Sequence, residues 1–214
     1  MVIKWLGQSC VQIKSQDRII VIDPLGKGLG LKVPQLRADI VLITHPHSDH
    51  NNINAIKPRE GRENFVIFEG AGEFESQGVL INGIPAWHDK KKEEKVNMYL
   101  LSLEGINLAH LSDIGQKKLN KDQLEALNRV DVLFLPVGGV FTIGAEEAFE
   151  IANQIDPRII IPIHYKIEGL NLNLEKVDKF LELEGTSPEP IDELEIVEEK
   201  IPKEDERKVI LLRP

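Results

Sequence analysis

The sequence has little of several features that would assign it to other classes of protein. Its single cysteine, Cys10, has no partner within the chain for a disulfide, so we expect a protein of the reducing cytoplasm. No apolar run approaches the roughly 20 residues that are needed to cross a bilayer. The first seven residues lack the basic start, long apolar stretch and cleavage site of a signal peptide. The sequence therefore predicts no membrane association.

Positive charge is also scarce. The chain carries 26 lysines and arginines against 35 aspartates and glutamates, for a net charge of −9. This balance argues against broad electrostatic binding of nucleic acid or of an anionic membrane. The only basic cluster is Lys90–Lys92, which we interpret as part of a solvated loop. A phosphorylated substrate stays open, because bound divalent cations reverse the local field.

The length and composition are those of an ordinary globular protein. The 214 residues are 42% hydrophobic and 29% charged, and they contain no internal repeat, low-complexity tract or linker. A chain of this length buries a sizeable core within one domain. We therefore predict a single domain over residues 1–214.

Short β-rich runs dominate the first half of the chain, and strands alternate with helices in the second half. Residues 40–43 form a continuous apolar run, as in a strand that is buried on both faces. We expect a turn at Asn82–Gly83 and a hairpin about Glu104–Gly105. Asn120 is predicted to cap one helix, and Asn173 to cap another that continues to about residue 183. This order favours sheets that are covered by helices.

Three of the six histidines follow the apolar run at 40–43 directly. They belong to the sequence Thr44-His-Pro-His-Ser-Asp-His50. In extended backbone His45 and His47 project to the same side, because side chains alternate along a strand. A turn after His47 then brings Asp49 and His50 to a neighbouring point. Imidazole and carboxylate groups in this arrangement are ligands for two adjacent divalent cations.

Three more candidate ligands occupy equivalent places in the pattern. His88, Asp113 and His164 each follow a predicted strand, as His45 does. A lone histidine is more often a structural residue, but three such positions beside the first cluster favour one shared site. The sequence therefore predicts a metal centre that is built at the ends of four strands.

The order of these ligands and several longer motifs resemble one protein family. The motifs are Trp5-Leu-Gly-Gln-Ser, Ile22-Asp-Pro, Leu111-Ser-Asp-Ile-Gly, Asp131-Val-Leu-Phe-Leu-Pro-Val-Gly-Gly-Val-Phe-Thr-Ile and Ile159-Ile-Ile-Pro-Ile-His-Tyr-Lys. From Ile3 to about Leu183 the chain resembles the metallo-β-lactamase superfamily. Within it, the motifs are similar to a branch of bacterial and archaeal zinc-dependent hydrolases that is distantly related to ascorbate-phosphate lactonases.

The resemblance implies an α/β fold of the αββα four-layer sandwich type, with two metal ions at one edge of the sheets. Zn²⁺ is the expected metal, two ions per chain, with Mn or Fe as alternatives. The implied ligands are His45, His47 and His88 for one ion, Asp49, His50 and His164 for the other, and Asp113 as the bridge. Asp23 would brace the ligand loop by orienting an imidazole.

This chain also departs from the family pattern. It has Gln8 where relatives usually carry a histidine, and Ser112 where they carry a glycine. The loop after His88 lacks the glycine-rich, arginine-containing sequence of relatives, so substrate contacts cannot be transferred there. His110 faces either the site or the core, and the sequence leaves both open.

The predicted activity is hydrolysis of a small-molecule ester, lactone or phosphodiester by a hydroxide that bridges the two ions. Asp49 is the candidate catalytic proton acceptor, and Tyr165 or Lys166 would stabilise developing negative charge. The alternatives are an iron-dependent redox enzyme on the same fold and a non-catalytic binding protein that retains the metal site. We expect no nucleic acid partner, and the sequence leaves monomer and homo-oligomer open.

Overall fold

The computed structural model describes residues 1–16, 18–89, 91, 93–203 and 206–214. The strands are β1 (Val2–Trp5), β2 (Val11–Ser15), β3 (Arg18–Ile22), β4 (Leu36–Ala38), β5 (Ile40–Ile43), β6 (Ile56–Pro58), β7 (Val66–Glu69), β8 (Gly72–Ser76), β9 (Val79–Trp87), β10 (Lys95–Leu103), β11 (Ile106–His110), β12 (Val132–Pro136), β13 (Ile159–Ile163), β14 (Leu194–Glu195) and β15 (Lys208–Val209). The α-helices are α1 (Lys121–Ala126), α2 (Ala145–Ile155) and α3 (Asp178–Leu183). Short 3₁₀ helices span Ile53–Ala55 and Glu198–Lys200.

Two large sheets contain most of the strands. The first has the order β14-β1-β2-β3-β5-β7, and the second has the order β15-β13-β12-β11-β10-β9-β8. A separate two-stranded sheet pairs β4 with β6. Both large sheets are mixed: hairpins pair antiparallel, whereas β3–β5–β7 and β11–β12–β13–β15 are parallel. The two sheets provide the framework on which the candidate ligands are placed.

The core lies between the two large sheets. Ile13 and Ile20 of the first sheet belong to one fully buried cluster with Leu101 and Leu133 of the second. Of the helices, α1 contacts β9, α2 contacts β12, and α3 packs on α2. The predicted α/β sandwich of two packed sheets is therefore confirmed, and the described α-helices lie on the side of the second sheet.

The outer face of the first sheet is covered mainly by loops. Val21 and Val41 pack there in a second buried cluster that includes Leu25, Leu36 and Leu170. The covering segment 24–35 contains Pro24, Pro34 and glycines at positions 26, 28 and 30. These residue types disfavour helix formation, and irregular loop backbone covers the sheet on this side.

Two of the local predictions are confirmed. The hairpin about Glu104–Gly105 joins β10 to β11, with Leu103 opposite Ile106. Asn120 caps α1, because its side chain accepts a hydrogen bond from the backbone of Gln123 in a reciprocal capping box.

Two other local predictions are wrong. Asn82 and Gly83 lie inside β9 rather than in a turn. A Cβ on Gly83 would come within 2.3 Å of the Gly70 carbonyl oxygen, so the glycine permits close approach of two backbones. The last helix begins at Asp178, not after Asn173. The backbone of Glu175 is instead bonded to Gly138 and Lys166, which keeps this segment extended between two loops.

The candidate ligands follow strands that end at the same edges. In the first sheet β3 and β5 are parallel, so Asp23 and His45 follow carboxyl ends on the same side. In the second sheet β9 and β11 both pair antiparallel with β10, and β11, β12 and β13 are parallel. Their carboxyl ends therefore share one edge. Within the described part of the chain, no helix has the length and apolar character that crossing a bilayer requires.

Candidate metal centre

Three histidines from two sheets meet in a triangle. His45 and His47 come from the loop after β5, and His88 comes from the end of β9. Their ring centroids are 4.6 Å (His45–His47), 5.1 Å (His45–His88) and 4.9 Å (His47–His88) apart. One ring nitrogen of each lies within 4.8 Å of one from each of the others. The group has the donors and spacing of a three-histidine cation site.

A second group of candidate ligands adjoins the first. The side chains of His50, Asp113 and His164 also offer donor atoms within 4.8 Å of one another. Asp113 Oδ2 lies 3.2 Å from His50 Nε2 and 2.9 Å from His164 Nε2. The rings of His45 and His50 are 4.4 Å apart and join the two groups. Asp49 Oδ2 lies 3.2 Å from His50 Nε2, so all seven predicted side chains are brought to one place.

The His45 ring is oriented by a chain of hydrogen bonds that starts at Asp23. Asp23 accepts bonds from the Thr44 backbone and from the Thr44 hydroxyl. Because that hydroxyl gives its only proton to the carboxylate, it accepts from His45 Nδ1, which is 2.9 Å away. Nε2 of His45 then carries a lone pair, and it is buried without a hydrogen-bond partner. A buried lone pair of this kind fits a cation.

His50 is held in the same way and faces two carboxylates. Its Nδ1 lies 3.2 Å from Asp23 Oδ2, and its Nε2 lies 3.2 Å from both Asp49 Oδ2 and Asp113 Oδ2. These last two contacts lack hydrogen-bond alignment. A neutral imidazole would turn a lone pair toward two anions. The arrangement therefore requires a positive charge between these groups, either a proton or a metal ion.

The pKa shifts follow from this crowding. Burial opposes the charged form of His50, but the charge of Asp113 and the contacts to Asp113, Asp23 and Asp49 together outweigh burial and hold the His50 pKa well above its usual range. Burial also opposes ionisation of Asp113, yet the charges of His164 and His50 keep its pKa well below its usual range. Burial, assisted by the charge of His50, lowers the pKa of His45 to about 4. At neutral pH, Asp113 is therefore anionic and His45 is neutral.

Asp113 is fixed by Ser9, in the loop after β1, and by His110 at the end of β11. Ser9 Oγ donates to Asp113 Oδ1 at 2.7 Å, which leaves Oδ2 to face the imidazoles. His110 Nδ1 accepts from the Ser112 backbone, so its Nε2 carries the proton and donates to Ser9 O at 2.9 Å. His110 is fully buried, and burial lowers its pKa. It lies behind the site and positions the two segments that hold Asp113.

Gln8 occupies the position where relatives were expected to carry a histidine. Its Nε2 lies 3.3 Å from His164 Nε2, and its Oε1 is buried without a partner. The Gln8 carbonyl accepts from Trp5 Nε1 and from the His164 backbone. Sequence reasoning gave Gln8 no role, but the structure places it against a candidate ligand.

Backbone strain is concentrated around the cluster. Gln8, Asp23, Ser112 and His164 all have φ between 48° and 56°, in the left-handed region that non-glycine residues seldom adopt. Such conformations persist only where the surroundings enforce them, and they are often found at functional sites.

The exposed side of the cluster is more polar. The His47 side chain is 41% exposed, and its Nε2 lies 2.6 Å from Glu94 Oε1. Asp49 is 25% exposed. Burial raises its pKa, but the contact and charge of His50 outweigh burial and lower the Asp49 pKa to about 2. Glu94 was not predicted, because in the sequence it belongs to a run of charged residues that is typical of a solvated loop.

Three glycines lie very close to the backbone of the loops that carry the candidate ligands. A Cβ on Gly26 would lie 2.3 Å from Ser48 O, one on Gly115 2.0 Å from His88 O, and one on Gly138 2.1 Å from His164 O. Only glycine permits backbones this close. The sequence shows the glycines but not which loops they approach.

Two further predictions are wrong. Tyr165 is buried and packs on Trp5 with ring centroids 4.8 Å apart, and burial raises its pKa. Lys166 Nζ donates to the carbonyls of Leu170 and Leu172 and so holds that loop. Neither side chain lines the candidate site. Of the basic cluster, Lys90 and Lys92 lie outside the described residues.

The cluster opens into a cleft of about 490 Å³, a size that suits a small molecule. The described residues that line it are His47, Asp49, His88, Asp89, Glu94, Asp113, Val140, Phe141, His164 and Leu172. Both candidate cation groups therefore reach the same cleft.

Comparison with known proteins agrees with this geometry. Residues 2–164 match the family model described as the β-lactamase superfamily domain. A protein of Thermococcus onnurineus, named a metal-dependent hydrolase, is 30% identical over 189 residues, covering 76% of this chain and 84% of its own. A Geobacillus protein of the same name is 31% identical over 199 residues, covering 77% and 85%.

A solved structure extends the similarity to nearly the whole chain. The Thermotoga maritima protein superposes with a TM-score of 0.81 at 35% identity, covering 99% of this chain and 97% of that one. Its description assigns it to the zinc-dependent hydrolases of the metallo-β-lactamase superfamily.

Proposed function

This chain belongs to the metallo-β-lactamase superfamily, and on that premise we propose that it is a metal-dependent hydrolase with a dinuclear centre, zinc being the expected metal. The proposed reaction is the cleavage of an ester, lactone or phosphodiester bond in a small molecule. One observation carries the proposal: seven donor side chains converge at the base of a cleft, and among them a buried imidazole nitrogen of His45 has no hydrogen-bond partner.

The two groups of side chains suggest how two ions would be held. We assign His45, His47 and His88 to the first ion, and Asp49, His50 and His164 to the second. Asp113 is proposed to bridge them, because its Oδ2 faces His50 and His164 while Ser9 occupies Oδ1. Contact between the His45 and His50 rings supports adjacent sites. Binding of an ion by His47 would replace its contact with Glu94.

Bound there, two divalent ions would act as Lewis acids that polarise the scissile group and lower the pKa of water from about 16 toward about 7. The protein supplies fixed geometry. Asp23 and Thr44 keep the His45 and His50 rings in one orientation, and His110 and Ser9 do the same for Asp113. Side chains that are already oriented in this way need not rearrange during the reaction, which lowers its activation free energy.

Asp49 is the only candidate catalytic residue among the ligands. It is ionised at neutral pH and partly exposed in the cleft, so it accepts hydrogen bonds from the attacking water. A carboxylate with a pKa of about 2 is a weak base. We propose that Asp49 orients this water and carries a proton only briefly before the leaving group receives it.

The test combines metal analysis with a substrate panel. The protein, loaded separately with zinc, manganese or iron, is assayed on aryl esters, lactones and bis-aryl phosphodiesters, with Asp113→Asn as the inactive reference. We expect about two ions per chain and turnover of at least one class well above the reference. Hydrolysis equal to that of Asp113→Asn on every class would contradict the proposal. Iron charge-transfer bands in the protein as isolated, without zinc, would favour redox chemistry instead.

A further inference from the structure

Two exposed apolar side chains stand at the mouth of the metal cleft. Val140 is 63% exposed and Phe141 51% exposed, and both line the cleft beside His164 and Asp113. They belong to the segment 137–144 that follows β12. Leu172 is the only other apolar residue among the described residues that line the cleft. Exposed apolar groups cost solvation free energy, and beside a reaction centre they indicate a contact surface.

The backbone holds this pair in place. Gly138 O accepts from the Glu175 backbone, and Ile143 N donates to Ile114 O, so the segment is tied at both ends. Within it, Phe141 N donates to Gly139 O at 2.7 Å. Thr142 and Ile143 are buried directly beside the two exposed residues. The pair therefore forms a rigid surface.

Val140 also has an unusual conformation. Its φ is 58°, in the left-handed region. A β-branched residue is strained there, whereas glycine is not. Strain of this kind persists only where the surrounding contacts enforce it. The combination of backbone strain, an exposed side chain and a backbone fixed by hydrogen bonds indicates that the Val140 side chain contacts a ligand.

The charges around the cleft narrow the chemistry of that ligand. Four carboxylates line it: Asp49, Asp89, Glu94 and Asp113. Their charge matches that of two divalent cations, so the loaded cleft has no net charge from these groups. No lysine or arginine is among the described residues that line it. An uncharged substrate fits this cleft better than a phosphorylated one.

We propose that Val140 and Phe141 form an apolar wall that binds an aliphatic or aromatic group of the substrate, and that the substrate is an uncharged ester or lactone. The reaction itself rests on the proposed function; the binding surface has its own evidence in the cleft. Leu172, which is held by the bond from Lys166 to its carbonyl, adds to the same surface. Val140 and Phe141 are specificity residues in this scheme and take no part in bond cleavage.

A binding experiment tests the wall without catalysis. Linear hydroxamates from two to six carbons bind zinc through the same head group, and their affinities for the zinc-loaded protein are measured by titration calorimetry. Full burial of one methylene strengthens binding by roughly fourfold, and half burial by about twofold. The four added methylenes should therefore raise the affinity of hexanohydroxamate over acetohydroxamate on the order of 15-fold.

Two variants and their combination test whether the rise in affinity with chain length depends on Val140 and Phe141. Phe141→Ser and Val140→Gly should each reduce this affinity ratio to about four, and the double variant should reduce it to about one, in every case at unchanged zinc content. Glycine suits the left-handed backbone at position 140, so that variant should fold at least as well as the wild type. Leu80→Ser is the matched control, because Leu80 is 59% exposed at the far end of β9. It should keep the wild-type ratio.

The outcomes separate this inference from the proposed function. A wild-type ratio near one with acetohydroxamate still bound would overturn the apolar wall and leave the hydrolase intact. A ratio that Leu80→Ser also loses would overturn it as well. A normal chain-length gain without turnover on any class of the substrate panel would support the wall and contradict the proposed function. If the wild type instead dimerises through these side chains and shows no gain, the surface is an interface and the inference is wrong.

Discussion

Replacement of Asp113 by asparagine is the sharpest test of the proposed centre. Asp113 is 2% exposed, and its Oδ2 makes both imidazole contacts of the second group of candidate ligands, at 3.2 and 2.9 Å. Asparagine keeps the shape and still accepts the bond from Ser9 Oγ. It removes the negative charge, and it places an amide or a neutral oxygen where the anion stood.

The expected loss is estimated from these contacts. A hydrogen bond or contact to a charged group contributes about 1.5–3 kcal/mol. Loss of one such contact per ion weakens each ion on the order of 10- to 150-fold, since each 1.4 kcal/mol is tenfold. The second ion loses more, because repulsion between two dications is no longer offset by a charge between them. We therefore expect Asp113→Asn to retain at most one ion.

The assay is elemental analysis after dialysis at the free zinc concentration that just saturates the wild type. Asp39→Asn is the control: Asp39 is 1% exposed and accepts from Ile19 N and Arg59 Nε, but it precedes β5, away from the ligand loop. It should lower the melting temperature and keep two ions. Full occupancy in folded Asp113→Asn would refute the assignment of the bridge.

Four other predictions follow from the structure. We propose that residues 1–214 form one domain, because the core takes residues from both sheets. Chelation of the metal should then lower the temperature of a single melting transition. Calorimetry that resolves two transitions would argue against one domain. The proposed hydrolysis predicts a kcat that rises between about pH 6 and 8 as water loses its proton, and a flat profile with chemistry rate-limiting would contradict it. Gly115→Ala should lower both the zinc content and the activity, because the added Cβ would lie 2.0 Å from His88 O. In the control variant Gly144→Ala the added Cβ meets only ordinary contacts at 3.4 Å or more. Equal zinc content in both variants would disprove the steric argument. Burial raises the pKa of the Cys10 thiol from 9.0 to about 12. The native state therefore keeps a proton that the unfolded chain releases above pH 9. The free energy of unfolding should fall by about 1.4 kcal/mol per pH unit in that range. Urea unfolding at pH 8 and 10 checks this, with a smaller decrease expected in Cys10→Ala.

Much of the centre could be predicted without coordinates because its chemistry is local in sequence. The spacing His-x-His-x-Asp-His after four apolar residues indicates metal ligands, since alternation along a strand places two imidazoles on one side. The same holds for the cap at Asn120, which depends on a residue only three positions away. Such signals require no knowledge of distant contacts.

The failures have the opposite character. Gly83 resembled a turn residue, but the backbone of the connection between β7 and β8, at Gly70, lies 2.3 Å from the position of its missing Cβ. Asn173 resembled a helix cap, but residue 175 is bonded to two loops that are 37 and 9 positions away. Lys166 stood beside a ligand in sequence, yet its ammonium group ties carbonyls in its own loop. In each case a tertiary contact overrode the local preference.

The sequence by itself determined the types of the candidate ligands, their order along the chain and the strands that they follow, because these depend on residue identity and short-range periodicity. Only the tertiary structure decided that Ser9 and His110 fix Asp113, that Gln8 contacts His164, and that the apolar pair after β12 faces the cleft. The contacts of Ser9, His110 and Gln8 join segments that are roughly 100 residues or more apart in the sequence. The orientation of the apolar pair depends on how the backbone turns after β12. Their physical basis is the packing of two sheets, which brings the ends of distant strands together at one edge.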